Sequence, residues 1–254
     1  MKTATIGKHK VELYDSIEDL PITRYHKYNK MLLVDSGLGS DLTDVDSHIE
    51  KSIAFIKTGD NDAAIAEMMN MRKAIYFVQM SLSPKHLAFA ALVKKIDGKE
   101  FNDLSDDGLR KVVDMLCDSA SKDIVNTLDE AKKKIDEELI AYFPSMFDSA
   151  EVKEYYNLMK DRIMATLRAI KDNDGWEKVE DATNQLLTFS KPVVFDGTDS
   201  AEIECDKNFE RMCLMMAQHL NIDAKKYTTL AFYNAYDYLR ESLKKQNKLN
   251  GNGR

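Results

Sequence analysis

Breakers are scarce in this chain. Of its 254 residues only 4 are proline and 10 glycine, so long helices with few tight turns are expected. Cysteine is scarce too: Cys117, Cys205 and Cys213 are odd in number and form no CxxC pair. A disulfide scaffold needs a dense, even set, so reduced, buried thiols are the ordinary reading. No apolar run approaches the roughly 20 residues that span a bilayer, since the longest, Leu87 to Val93, has seven. The first ten residues contain no apolar stretch of signal-peptide type. A reducing, aqueous compartment and no membrane partner are therefore expected.

Chemical motifs are missing as well. Gly37-Leu-Gly39-Ser40 is half of a glycine-rich loop, but it follows a helical pattern and no Lys comes after it, so it reads as a break between helices. Asp41, Asp44, Asp46 and Glu50 lack the register of an EF-hand. They fit the acid preference of a helix start. The five histidines form neither HxxxH nor HExxH, and no GxSxG or nucleophilic cysteine context occurs. No catalytic, cofactor-binding or metal-binding residue can be named. The expectation is a non-enzyme without cofactors, although acid–base groups assembled from distant segments leave no sequence signature.

What the chain has is amphipathic periodicity: 44% of residues are hydrophobic, 31% charged, and the net charge is −7. That is enough apolar material for a core, and the acidic balance disfavours a nucleic-acid-binding surface. Thr3–Ile6 and Lys10–Tyr14 around Gly7-Lys8 read as a small hairpin that must pack on something, such as an edge strand from another subunit.

Helices are expected over 22–35, then from a Ser40 cap with apolar positions Leu42, Val45, Ile49, Ile53 and Ile56. Another is expected over 61–80, with Ile65, Met68, Met69, Ile75 and Val78 near one face. Ser83-Pro84 starts a helix continuing to Ile96, where Asp97-Gly98 stops it. Further helices are expected over 105–117, over 119–143 with the stripe Ile124, Leu128, Ala131, Ile135 and Leu139, and over 149–171, 176–189, 206–220 and 224–245. Soft boundaries fall near Phe143-Pro144 and in the helical lapse between Phe189 and Cys205.

The expected fold is mainly α: a multi-helix bundle with an N-terminal β-hairpin and a short extended arm near 190–205. Its expected parts are a hairpin at 1–20, a helical body at 21–190, the arm at 191–205, a C-terminal helical pair at 206–246 and a flexible tail at 247–254.

Two aromatic clusters stand out. Tyr25 and Tyr28 form one; Tyr227, Phe232, Tyr233, Tyr236 and Tyr238 ring the last helix. A helix apolar on several faces is buried from several sides, by its own core or by a subunit interface, where Tyr is enriched. The candidate interface residues are Tyr25, Tyr28, Tyr233 and Tyr236, together with Val193, Val194 and Phe195 of the arm. The chain carries more apolar and aromatic faces than one compact monomer needs, so copies or neighbours are expected to cover the surplus. Arg240, Lys244, Lys245, Lys248 and Arg254 leave open a basic end that reaches phosphates, beside the plainer reading of cations at a helix C-terminus.

Three segments carry a family resemblance: Leu20-Pro-Ile-Thr-Arg-Tyr-His-Lys-Tyr-Asn-Lys-Met-Leu-Leu-Val-Asp-Ser-Gly-Leu-Gly-Ser-Asp41, Leu82-Ser-Pro-Lys-His-Leu-Ala-Phe-Ala-Ala-Leu-Val-Lys-Lys-Ile-Asp-Gly98 and Tyr227-Thr-Thr-Leu-Ala-Phe-Tyr-Asn-Ala-Tyr-Asp-Tyr-Leu239. Together, about a fifth of the chain, they resemble virion or morphogenesis proteins of the crAss-like tailed bacteriophages of Bacteroides-type hosts. The resemblance implies a structural role in the virion, as a ring or connector protein of the portal–neck–tail region. It also implies a homo-oligomeric ring, commonly twelve-fold, that contacts other portal and tail proteins and passively surrounds DNA. The N-terminal hairpin and the 189–205 segment would then be exchange arms. A tail-assembly chaperone or scaffold fits the same helical plan, and a small nucleic-acid binder is a further alternative.

Overall fold

In the computed structural model, residues 1–117, 121–147, 150–189 and 192–251 are described, without the side chains of 117, 150–153, 188 and 246–251. The chain is mainly helical with a small antiparallel sheet, as expected. It divides into two compact units. The first holds residues 1–36, 81–142 and 201–254, the second 37–80 and 143–200. Residues 21–190, expected as one body, thus contribute to both.

The first unit opens with strands β1 (Lys2–Ile6) and β2 (His9–Leu13), joined where Gly7 takes a φ of 58°. Helix α1 (Ile22–Leu38) follows, its residues from Gly37 onward lying in the second unit. Helix α4 (Pro84–Leu92) starts at Ser83 with Pro84 in the first turn, as read from the sequence. The expected continuation of that helix to Ile96 is wrong. The chain leaves it at Val93 and forms β3 (Val93–Ile96) and β4 (Lys99–Glu100), giving the order β1-β2-β3-β4, antiparallel throughout. Asp97 and Gly98, at φ 50° and 81°, supply the left-handed pair that a two-residue hairpin turn demands. The hairpin's partner is therefore β3 of its own chain.

The Asp97 carboxylate also accepts from Lys10 N at 2.9 Å and sits 2.7 Å from His9 Nδ1, tying the two turns together. Ile6, Val11, Leu13, Val93 and Ile96 are buried, as are Ala88 to Leu92 of α4.

Helix α5 (Asp106–Cys117) is capped by Ser105, whose hydroxyl accepts from Gly108 N. Helix α6 (Ser121–Tyr142) buries Ile124, Leu128, Ala131, Ile135 and Leu139, the stripe expected from the sequence. Helix α10 (Ala201–Leu220) begins five residues before the expected start at 206 and shortens the arm accordingly. A 3-10 turn (Ala224–Lys226) leads into α11 (Thr229–Gly251). Helix α11 runs on through most of the expected flexible tail; 252–254 lie outside the described residues. The entrance to α1 and that to α11 are zipped together: Ile22 N donates to Tyr227 O, Leu230 N to Ile17 O, and Thr229 N and Oγ1 both to Leu20 O.

The second unit contains α2 (Leu42–Thr58) and α3 (Asn61–Gln79). Asp41, not Ser40, caps α2, in a reciprocal box with Asp44. Gly59 in the left-handed region ends that helix, and the Asp60 carboxylate accepts from Ala63 N to start the next. Helices α7 (Pro144–Phe147), α8 (Ala150–Asp172) and α9 (Trp176–Phe189) complete the unit. The expected cap Ser149 lies outside the described residues. Both soft boundaries mark a change of unit, at Tyr142/Phe143 and Ser200/Ala201.

Candidate interaction surface

The second unit builds its interior from small and polar side chains. Helix α2 turns Val45, His48, Ser52 and Phe55 inward; α3 turns in Ala63, Ala64, Ala66, Glu67, Asn70 and Ala74. His48 Nδ1 lies 2.5 Å from Glu67 Oε2, and His48 Nε2 donates to the Leu38 carbonyl at 3.3 Å. Ser52 Oγ donates to His48 O. A buried pair of this kind is tolerated because both partners are hydrogen-bonded. Phe55, Ala63 and Ala64 make a small apolar cluster against which Leu187 packs.

With that face inward, four of the five apolar positions named on α2 point outward. Leu42, Ile49, Ile53 and Ile56 are between 41% and 67% exposed. Of the five apolar positions named from the sequence, only Val45 is inside. Of the positions named on α3, Ile65 and Met68 are likewise exposed.

Helix α8 shows a second open stripe, Tyr156, Ile163, Leu167 and Ile170, from 54% to 64% exposed. Ala169 is the one residue of α8 with a described side chain that is buried. At 3.6 residues per turn each stripe spans about 60° of its helix and about 21 Å of its length. Covering the exposed part of each side chain is worth on the order of 1 kcal/mol, so two facing stripes offer roughly 8 kcal/mol gross. Association costs about 4–15 kcal/mol, so one such contact is weak alone and gains by repetition.

The residues named from the sequence as an interface separate into two places. Tyr25 and Tyr28 are buried in the first unit, and Tyr25 meets Tyr233 edge-on with ring centroids 6.0 Å apart. Burial raises the hydroxyl pKa of all three, well above the ordinary value for Tyr25 and to about 12 for Tyr233. Tyr233 and Tyr236 are half-buried on α11. Aromatic packing of the core accounts for Tyr25 and Tyr28, leaving little of either ring for a neighbour.

Val193, Val194 and Phe195 belong to the second unit. The Asn70 amide brackets that stretch, its Nδ2 donating to Val193 O at 2.8 Å and its Oδ1 accepting from Phe195 N at 2.9 Å. Lys73 Nζ donates to Phe195 O at 2.6 Å, and Arg72 pairs with Asp196. The Phe195 ring is buried against Gly37, where an added Cβ would lie 2.0 Å from ring carbon Cε2. Val193 is exposed and Val194 half-buried. The arm is thus strapped onto α3 of its own chain.

The other polar grouping links α1, α5 and α10 in the first unit. Asp206 accepts from Lys30 at 2.7 Å and lies 2.7 Å from His26 Nε2; Lys27 pairs with Asp106 at 2.5 Å. The His26 ring stacks on Phe209, centroids 4.2 Å apart. Burial lowers the His26 pKa against the pull of Asp206. Burial acts to raise that of Asp206, but Lys30 and His26 outweigh it and hold the carboxyl below its usual range. Each charge has an opposite partner here, the arrangement of a structural seam.

Among the described residues no group of three His, Cys, Asp or Glu side chains is placed to hold a metal, and no helix is long and apolar enough to cross a membrane. A groove of about 620 Å³ alongside α8 and α9 is lined by alternating charges, among them Lys160, Asp161, Arg168 and Asp172. Sequence reasoning missed the α8 stripe, although its apolar spacing was visible, because exposure cannot be told from burial by period alone. No protein-family model, curated protein or solved structure matches this chain.

Proposed function

We propose that the chain is a non-enzymatic structural subunit of a tailed-phage particle: a ring or connector protein of the portal–neck–tail assembly, held by copies of itself. The observation that carries this reading is the pair of apolar helix faces that the second unit leaves in solvent. A chain that folds to work alone has no use for rows of exposed isoleucine and leucine, which are aggregation hazards unless a partner covers them.

The placement of the resembling segments supports the same reading. Segments 82–98 and 227–239, and residues 20–36 of the segment 20–41, lie in the first unit. There the Arg24 guanidinium of α1 donates to Ala91 O and Val93 O, and Leu20 and Ile22 bond to Thr229 and Tyr227. Most of the three stretches that resemble phage virion proteins is thus packed in one unit, only 37–41 of the first stretch lying in the other, and the open faces are carried by the rest of the chain. The net charge of −7 suits a subunit beside DNA that must not grip it.

The test is peptide mass spectrometry of purified mature particles from infected cells, with quantification against the major capsid protein. A ring subunit is expected at a fixed, low copy number. Abundance in the lysate with depletion from mature particles would turn the reading into an assembly chaperone; absence from both particles and assembly intermediates would end it.

A further inference from the structure

The two open stripes share one spacing. Leu42, Ile49, Ile53 and Ile56 on α2 are seven, four and three residues apart, and so are Tyr156, Ile163, Leu167 and Ile170 on α8. Two helix faces with the same register and the same length of about 21 Å can interdigitate side chain for side chain. Their margins differ in charge. Helical geometry puts Lys160 and Lys171 on one side of the α8 stripe and Arg162 on the other, with no acid among the described side chains at either margin. Beside the α2 stripe the same geometry puts Asp46 and Glu50, with Lys57 at its C-terminal end.

We infer that the α8 stripe of one copy docks on the α2 stripe of a second copy, head to tail. The inference rests on the reading of the chain as a self-assembling subunit, and names the contact. Charge selects this pairing. Joining α8 to α8 brings Lys160, Arg162 and Lys171 against themselves, and joining α2 to α2 does the same to Asp46 and Glu50, whereas α8 on α2 sets basic margins beside acidic ones. The contact uses two different surfaces of the same chain, so each copy that is bound still offers a free stripe. Such heterologous contacts grow into rings when the rotation closes and into filaments when it does not.

The test uses the full chain in sedimentation velocity across a concentration series. One variant spoils the α2 face (Ile49→Glu with Ile53→Glu), another the α8 face (Ile163→Glu with Leu167→Glu). The wild-type chain is expected to form species larger than two chains, each variant alone to sediment as a single chain, and an equimolar mixture to give, at the highest concentrations of the series, a two-chain species that grows no further. That two-chain species also shows that both variants are folded.

Lys160→Glu with Lys171→Glu, outside the stripe, is expected to weaken wild-type association at least tenfold, and Asp46→Lys with Glu50→Lys in the partner to restore it. Association of either face variant alone at the wild-type level, or a mixture of single chains with wild-type helicity, overturns the contact while leaving the structural role standing if the wild type still assembles. A wild-type chain that stays single at every concentration overturns the contact, and the particle analysis then decides the role separately.

Discussion

Arg24 shows how much one side chain can hold. It is buried in the first unit with no carboxylate paired to it among the described residues, and burial lowers its pKa. It donates to Ala91 O at 3.1 Å and Val93 O at 2.8 Å, reaches Phe101 O, and lies over the Tyr14 ring. Those carbonyls sit where α4 gives way to β3 and where the chain leaves β4, so a planar fork of donors binds three carbonyls in two stretches of backbone at once. Replacing Arg24 with Met strands the carbonyls, and an unsatisfied buried acceptor costs about 1–3 kcal/mol. Urea denaturation is expected to show a loss of about 3 kcal/mol or more, and a smaller loss for Arg24→Lys, whose ammonium cannot reach all three.

The titrating side chains set a pH dependence of definite sign. Burial lowers the pKa of His26 and of His86 in the fold. Below the unfolded value of about 6.5 the unfolded chain therefore takes up protons that the native chain refuses, and stability falls as pH falls. Asp206 and Asp106 are held below the ordinary carboxyl value, Asp106 chiefly by its bond from Lys27. Their contribution is present above about pH 4 and is lost on further acidification. The urea midpoint is expected to decline in two steps between pH 7.5 and 3.5. Substituting both histidines with Gln should remove the first step and leave the second; a flat profile down to pH 5 in the wild type would contradict this.

At the scale of elements, the strap over α3 gives the clearest contest of effects. Gly37 lies within α1, and on helix propensity alone Ala in its place should gain about 1 kcal/mol. The added Cβ would meet the Phe195 ring at 2.0 and 2.3 Å, and overpacking a closed site costs about 1–3 kcal/mol. The clash involves a ring locked in place by the Asn70 bracket, so it should win. Gly37→Ala is expected to lower stability and to speed proteolysis at 192–196. Combined with Phe195→Ala it should cost less than the two separate losses added together.

The helices that the sequence revealed best are those whose burial is apolar. In α6 the five residues Ile124, Leu128, Ala131, Ile135 and Leu139 repeat at helical spacing among charges, and the period alone places them inside. Helix α2 defeats the same logic. Its inward positions include His48 and Ser52, each satisfied by a neighbour, and a count of apolar residues therefore selects the wrong side. Strand β3 was hidden for a different reason. Val93 follows an unbroken apolar helix, and Asp97-Gly98 reads equally as a helix stop and as a hairpin turn; only its pairing with β2, far away in sequence, decides. The arm's capture by Asn70, and the exposure of the α8 stripe, are likewise products of tertiary packing that no local pattern contains.

Across the whole molecule the two units differ in what holds them. The first buries apolar side chains of the sheet, α4 and α6; the second rests on alanines, a polar pair, Phe55 and Phe195, with most of α8 in solvent. Local stability follows buried apolar contact, so amide exchange should not be uniform. Amides of α6 and of β2 and β3 are expected to exchange only by global unfolding, and those of α8 and α9 by smaller openings, in dilute protein monitored by mass spectrometry. Assembly should reverse part of that order. When the outward face of α8 is covered by α2 of another copy, the protection of both helices should rise with protein concentration while α6 stays unchanged. Equal protection in the two units, or a rise confined to the first, would mean that the open stripes of α2 and α8 are not where the chain gains its stability from its neighbours.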